Sequence, residues 1–147
     1  MPDAGVTLEP VDEKTLADVE TVLENNDLPT ADVQSKPESF FVGFAAGKRI
    51  GIGGLERFDT VGLLRSLVVE ESVRGDGYGT DLCEALETRA AADGVERLYL
   101  LTTTAAGFFE DLGYRAIDRT APPEPIRQTT EFTTLCPETA ICMTKRL

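Results

Sequence analysis

At 147 residues the chain has room for one domain, 1–147, with a core that needs no disulfide or metal to close it. Its 26 Asp and Glu against 14 Lys and Arg give a formal charge of −12, which excludes a diffuse basic footprint for nucleic acid. No apolar run approaches the roughly 18 residues that would cross a membrane, and the absence of histidine excludes a Cys/His zinc set and a Ser-His-Asp relay.

Proton transfer must therefore use carboxylates, tyrosines, thiols or water. The three cysteines, Cys83, Cys136 and Cys142, are too few and too scattered for a disulfide framework and read as reduced thiols. Met1–Gly5 lacks the basic-then-apolar pattern of a leader, so a cytoplasmic location is expected. Ten Arg and four Lys under a large acid excess resemble the composition of proteins adapted to concentrated salt, where screening over about 3 Å at 1 M removes self-repulsion.

In chain order, Val6–Leu8 is a short strand. A helix follows from Val11 to Asn25, with Asp12 as N-cap and Leu16, Val19, Val22 and Leu23 as its apolar stripe. Leu28–Val33 breaks that helix and starts a shorter one. Phe40–Ala45 and Ile50–Arg57, turning at Gly47-Lys48, predict a β-hairpin, and a turn at Asp59-Thr60 adds Leu63–Val69 to an antiparallel meander. After a Gly-rich turn, a helix runs from Tyr78 to Asp93 and stops at Gly94. Leu98–Thr102 is a strand parallel to Leu63–Val69, because a helical crossover joins them. A helix at Ala106–Leu112, a strand at Tyr114–Asp118, a surface turn at Pro122, Pro123 and Pro125, a helix near Glu131–Leu135 and a strand at Ala140–Lys145 complete the chain. The expected fold class is α/β: a mixed, mostly antiparallel sheet with one parallel pair and helices on both faces.

Chemistry concentrates at Arg74-Gly75-Asp76-Gly77-Tyr78-Gly79, between a buried strand and a helix. Alternate glycines let backbone approach a ligand, and the unpaired amides of the helix start favour an anion, with Arg74 adding positive charge. The spacing lacks the Lys of a Walker loop and the G-x-G-x-x-G of a dinucleotide turn, and the next strand ends in Thr102-Thr103-Thr104 where a ribose-binding acid would stand.

The longer segment Leu67-Val68-Val69-Glu70-Glu71-Ser72-Val73-Arg74-Gly75-Asp76-Gly77-Tyr78-Gly79 resembles the acetyl-CoA signature of the GNAT acyltransferase superfamily, [QR]-x-x-G-x-[GA] after an L-x-V strand. Phe108-Phe109-Glu110-Asp111-Leu112-Gly113-Tyr114 is similar to that superfamily's F-Y-x-x-x-G-[FY] run, and the element order resembles its fold across the chain. Leu28–Asp32, Gly54-Leu55-Glu56, Leu64–Leu67, Leu98–Thr104, Glu131-Phe132 and Leu135-Cys136-Pro137 together resemble the arsenic-resistance N-acetyltransferases, a group associated with arsinothricin-like acceptors.

The resemblance implies acetyl-CoA as cosubstrate, no metal, and direct attack by a primary amine of a small, glutamate-like or arsinothricin-like acceptor. It places the pantetheine arm along Leu67, Val68 and Val69, and the diphosphate on the amides of Gly75, Asp76, Gly77, Tyr78, Gly79 and Thr80. Val69 would polarise the thioester carbonyl. Phe109 stands where the family often has a tyrosine acid, leaving Tyr78, Tyr99, a water on Thr102–Thr104 or an unassisted thiolate as substitutes.

Glu56, expected on one face with Ile50, Ile52 and Gly54, is the candidate base; pairing with Arg57 or Arg65 is the structural alternative. Arg65, expected on one face with Leu67 and Val69, suits capture of a carboxylate or arsinate, or else a cross-strand ion pair. Thr102, Thr103 and Arg127 are further acceptor-side candidates. Cys83, Phe40, Phe41 and Phe44 are expected in the core, and Glu84, Glu87, Asp93 and Glu96 on solvated faces. Acetylation of a protein N-terminus or lysine, and a non-catalytic acyl-CoA sensor, are the competing functions. The expected partner is a small amine, with neither nucleic acid nor membrane, for a monomer or homodimer.

Overall fold

The computed structural model describes residues 6–25, 39–70, 73, 77–103, 105–129, 132 and 139–147. The expected helices near 28–33 and 131–135, Phe132 aside, lie outside them. The elements are β1 (Val6–Pro10), α1 (Glu13–Asn25), β2 (Phe40–Ala45), β3 (Lys48–Phe58) and β4 (Val61–Val69), then α2 (Tyr78–Ala92), β5 (Arg97–Thr102), α3 (Ala106–Asp111), β6 (Arg115–Ile117), α4 (Glu124–Arg127) and β7 (Ile141–Arg146). They build one sheet in the order β1-β2-β3-β4-β5-β7-β6. β4 and β5 are its parallel pair, as the helical crossover requires, and the other neighbours are antiparallel.

Local chemistry sets the element ends. The carboxylate of Asp12 accepts from the Thr15 amide at 3.0 Å while the Thr15 hydroxyl accepts from the Asp12 amide at 3.0 Å, a reciprocal cap that starts α1. The β2–β3 hairpin turns at Ala46-Gly47, one residue earlier than expected, with Ala45 paired to Lys48 and both turn residues at positive φ. α2 ends as its spacing predicts, the Val95 amide reaching back to the Ala90 carbonyl at 3.0 Å around Gly94.

The proline cluster is not a bare turn. Pro123 caps α4 and Pro125 sits in its first turn, where a missing N–H costs nothing, so Ile126 is driven fully inside.

Two layers of side chains flank the sheet. On one face α2 and α3 press Leu82, Leu86 and Phe109 against Ile50, Leu64, Leu98, Leu100 and Met143. On the other, α1 covers Phe40, Val42, Ile52 and Val68, while Ile126 and Phe132 cover Leu63, Tyr99 and Cys142.

Two β-bulges break the alternation and change which residues share a face. A register shift opposite Gly43/Phe44 turns Ile50 toward α2, away from Ile52 and Glu56. A second shift lies between Ile52 and Gly54, facing Ser66, which has φ +58. It leaves Arg65 on the α1 side beside Gly54 and Phe40, and sends Leu67 and Val69 to the α2 side. The shared face expected for Arg65, Leu67 and Val69 is therefore corrected by one inserted residue.

β3 meets β4 closely at Gly51: a Cβ there would stand 2.3 Å from the Val68 carbonyl oxygen and 2.9 Å from Leu82. Gly51→Ala is expected to lower stability by about 1–3 kcal/mol through overpacking. Gly107→Ala, in open space on α3, should be neutral or stabilising by at most about 1 kcal/mol. Urea titrations of the two variants check both signs.

Candidate active site

β4 and β5 pair only at Val61–Arg97, Gly62–Leu98 and Leu63–Tyr99. Beyond these the strands continue unpaired with each other, to Val69 and to Thr102. Parallel strands that diverge at their carboxyl ends leave backbone groups for a ligand. The bulge at Ser66 lies on the β4 side of this divergence, and bulges of this kind add local twist. On that side the Glu70 amide donates to the Ile50 carbonyl at 2.7 Å, making Gly51–Val69 a non-hydrogen-bonded pair. Strand alternation then turns the Val69 amide away from β3, toward the gap.

The start of α2 stands at the same end. Gly77 is its N-cap at φ +85, with nothing within 4 Å of the position a Cβ would take and no side-chain cap. The first return bond of the helix runs from the Asp81 amide to the Gly77 carbonyl, so the amides of Tyr78, Gly79 and Thr80 precede it at the positive end of a fifteen-residue dipole. This backbone fits a diphosphate. Arg74, Gly75 and Asp76 lie outside the described residues. Tyr78 and Thr80 are half-buried, and Tyr78 packs on the α2-side core.

Phe109 is buried, edge to face with Phe108 at 5.1 Å and with Tyr114 at 5.5 Å. The ring beside the α2 start is Phe108: a Cβ on Gly79 would meet it at 3.3 Å and Val69 at 3.6 Å. Sequence reasoning missed Phe108, although it stands in the same F-F-x-x-x-G-Y run.

On the α1 side, Arg65 and Glu56 form a buried ion pair at 3.1 Å, their side chains 0% and 5% exposed. The Arg65 Nε also donates to the Ser66 hydroxyl at 3.2 Å, and its guanidinium lies 5.3 Å over the Phe40 ring. The structure thus realises the cross-strand alternative for Arg65. The Thr102 hydroxyl accepts from the Ala105 amide at 3.0 Å, fixing the entry to α3, and Thr103 is exposed. Arg127 is exposed on α4, its Nε donating to the Pro122 carbonyl at 2.9 Å. Tyr99 faces the Leu63 and Ile126 cluster.

A cavity of about 230 Å³, lined by Glu56 together with Phe41, Arg57, Arg89 and Asp93, opens at the opposite end of α2, over the paired ends of β4 and β5. Among the described residues no group of three or more His, Cys, Asp or Glu side chains is arranged to hold a metal ion, and no helix is long and apolar enough to cross a membrane.

Behind α3 lies a polar cluster. The Tyr114 hydroxyl donates to Glu87 Oε2 at 2.9 Å, and the Lys145 ammonium donates to both Glu87 oxygens at 3.1 Å. Glu87 is therefore not on a solvated face, in contrast to Glu84, Asp93 and Glu96, which are exposed. Burial, then the Glu87 charge, pushes the neighbouring Cys83 thiol up to about 12. Burial likewise raises Tyr114, and pushes Cys142 up to about 11.

Two expectations follow. Arg65→Met removes the countercharge of a buried carboxylate and should cost about 3–5 kcal/mol in urea unfolding, while Arg65→Met combined with Glu56→Leu should recover most of it. Because the folded thiols hold protons that the unfolded chain releases above pH 9.0, their contribution to stability is complete below that pH and is lost as pH rises toward about 12. Each thiol contributes a slope of up to about 1.4 kcal/mol per pH unit, so Cys83→Ala should flatten the decline measured under reducing conditions.

A model of the acetyltransferase (GNAT) family matches residues 9–114. An uncharacterised N-acetyltransferase of Chlorobaculum tepidum is 35% identical over 105 residues, covering 70% of this chain and 64% of that protein. An amino-acid acetyltransferase of Pseudomonas fluorescens is 42% identical over 53 residues, 36% of this chain and 12% of its own. N-acetylglutamate synthase of Neisseria gonorrhoeae, solved with coenzyme A and N-acetyl-glutamate, superposes with a TM-score of 0.80 at 18% identity, covering 97% of this chain and 35% of the synthase. The chain thus spans less than two thirds of the length of each of these proteins, and the last likeness is one of fold. With the diverging β4/β5 pair and the open start of α2, the matched span places this chain in the acetyltransferase (GNAT) family.

Proposed function

We propose that the chain is an acetyl-CoA-dependent N-acetyltransferase whose acceptor is the primary amine of a small, amino-acid-like molecule. The observation that carries this reading is the gap beyond Leu63 and Tyr99, with the Val69 amide turned into it and the α2 amides at its mouth. In this reading the pantetheine arm runs beside Leu67–Val69, and the diphosphate rests on Gly77–Thr80 together with Arg74–Asp76. The amine nitrogen attacks the thioester carbonyl carbon, the C–N bond forms, the C–S bond breaks, and coenzyme A leaves as a thiolate that takes up a proton. The Val69 N–H stabilises the oxyanion in between, a contact contributing about 3–4 kcal/mol. No enzyme nucleophile is needed.

Glu56 receives the amine proton through water, and Arg65 holds its carboxylate in place. Arg65, enclosed in that pair, is the positioning residue, and Arg127 on the surface is the cation offered to an acceptor carboxylate. The amino-acid acceptor draws support from the relative named amino-acid acetyltransferase and from the N-acetyl-glutamate held by the structural neighbour. A glutamate-like acceptor, with arsinothricin-like molecules in the same class, is the form we favour.

Calorimetry with acetyl-CoA, followed by thiol release with glutamate, phosphinothricin and short peptides, tests this. Binding with release from the small amines is the expected outcome. Absence of heat from folded protein would overturn the activity, and release with peptides alone would overturn the acceptor class. Glu56→Gln should lower kcat by about 10²-fold or more while leaving the KM for acetyl-CoA within about twofold.

A further inference from the structure

We propose that Glu87 is a positioning residue that sets the cofactor-side wall of the β4/β5 gap by way of Tyr114, Phe109 and Phe108. The inference rests on the reading of that gap as the acetyl-CoA site.

One carboxylate joins three elements. Glu87 belongs to α2, Tyr114 follows α3, and Lys145 belongs to β7. The carboxylate accepts from the Tyr114 hydroxyl at 2.9 Å and from the Lys145 ammonium at 3.1 Å, and that ammonium also lies 5.5 Å over the Tyr114 ring. Burial raises the Tyr114 hydroxyl, which favours the protonated form that donates to Glu87.

From Tyr114 the contact passes ring to ring. Its ring meets Phe109 at 5.5 Å with the planes 72° apart, and Phe109 meets Phe108 at 5.1 Å and 76°. Phe108 and the Val69 side chain then converge over Gly79, in the first turn of α2. The six residues of α3 are too few to hold a helix by backbone bonding alone, so packing fixes where Phe108 stands. With the carboxylate removed, the buried Tyr114 hydroxyl and the half-buried Lys145 ammonium lose the partner that ties α3 and β7 to α2. The ring on the cofactor side loses its fixed position as a result.

Three variants test the inference: Glu87→Ala, Glu87→Gln, which still accepts from Tyr114, and Glu84→Ala, exposed on the same helix. Coenzyme A affinity is measured by calorimetry, and kcat and KM are measured separately for acetyl-CoA. Glu87→Ala is expected to weaken coenzyme A binding and raise the acetyl-CoA KM roughly tenfold, with kcat within about twofold, the size expected for one lost buried hydrogen bond. Glu87→Gln should stay within about threefold of the parent, and Glu84→Ala should match it.

Unchanged coenzyme A affinity in a folded Glu87→Ala protein that merely melts earlier would overturn the inference, as would equal losses in the Gln and Ala variants. Should Glu87→Ala not fold, Tyr114→Phe removes the hydroxyl and keeps the ring. A weaker affinity in that protein supports the proposal, and an unaltered one rejects it. A parent protein that binds no coenzyme A overturns the cofactor site itself and this wall with it, whereas a binding parent with indifferent variants removes only the role of Glu87.

Discussion

Three residue pairs of parallel β-ladder hold β4 to β5, and everything proposed for this chain depends on the ladder ending there. A fully zipped pair would carry the ladder with β5 on past Leu63. The divergence instead keeps the sheet whole at one end, where Gly62, Leu98 and Val95 pack together, and opens it at the other. Two further features mark the opening. The extra residue at Ser66 breaks the regular course of β4, and the antiparallel register with β3 decides that Val69 rather than Val68 turns its amide outward.

The buried Glu56–Arg65 pair sits in the same strands and illustrates how a sheet can carry charge at its centre. Neither group would be tolerated alone at this depth, since desolvating a single ion costs several kcal/mol. Together, with Ser66 accepting from the guanidinium and Phe40 offering its ring face, they form a polar island between two apolar clusters. Such an arrangement favours fixed geometry over net stability. Fixed geometry is what the proposed role of Glu56 as proton acceptor would require.

Much of this was legible in the residues. Hydrophobic periodicity and the helical crossover gave the strand meander, α2, and the one parallel pair. The cap at Asp12 and the stop at Gly94 were where side-chain chemistry placed them. Strand alternation misled where a bulge intervened: Ile50 parted from Ile52, and Arg65 from Leu67, because one inserted residue reverses every side chain beyond it. Nothing in local composition marks a bulge at a serine. Glu87 was misjudged for a different reason. Its helix position resembles that of exposed Glu84, and only the return of β7 and the α3–β6 turn, distant in sequence, covers it. Phe108 and Phe109 could not be told apart from their shared run, since which ring turns toward α2 depends on how α3 is seated.

The two borders of the sheet carry one more implication. β6 offers three residues and β1 five, the last of them Pro10, which has no N–H to donate. Blunt margins of this kind give a stray strand little to zip onto. A molecule with an unzipped seam in mid-sheet is thereby spared the same vulnerability along its outer rims, and its tendency toward amyloid-like stacking through either rim is low.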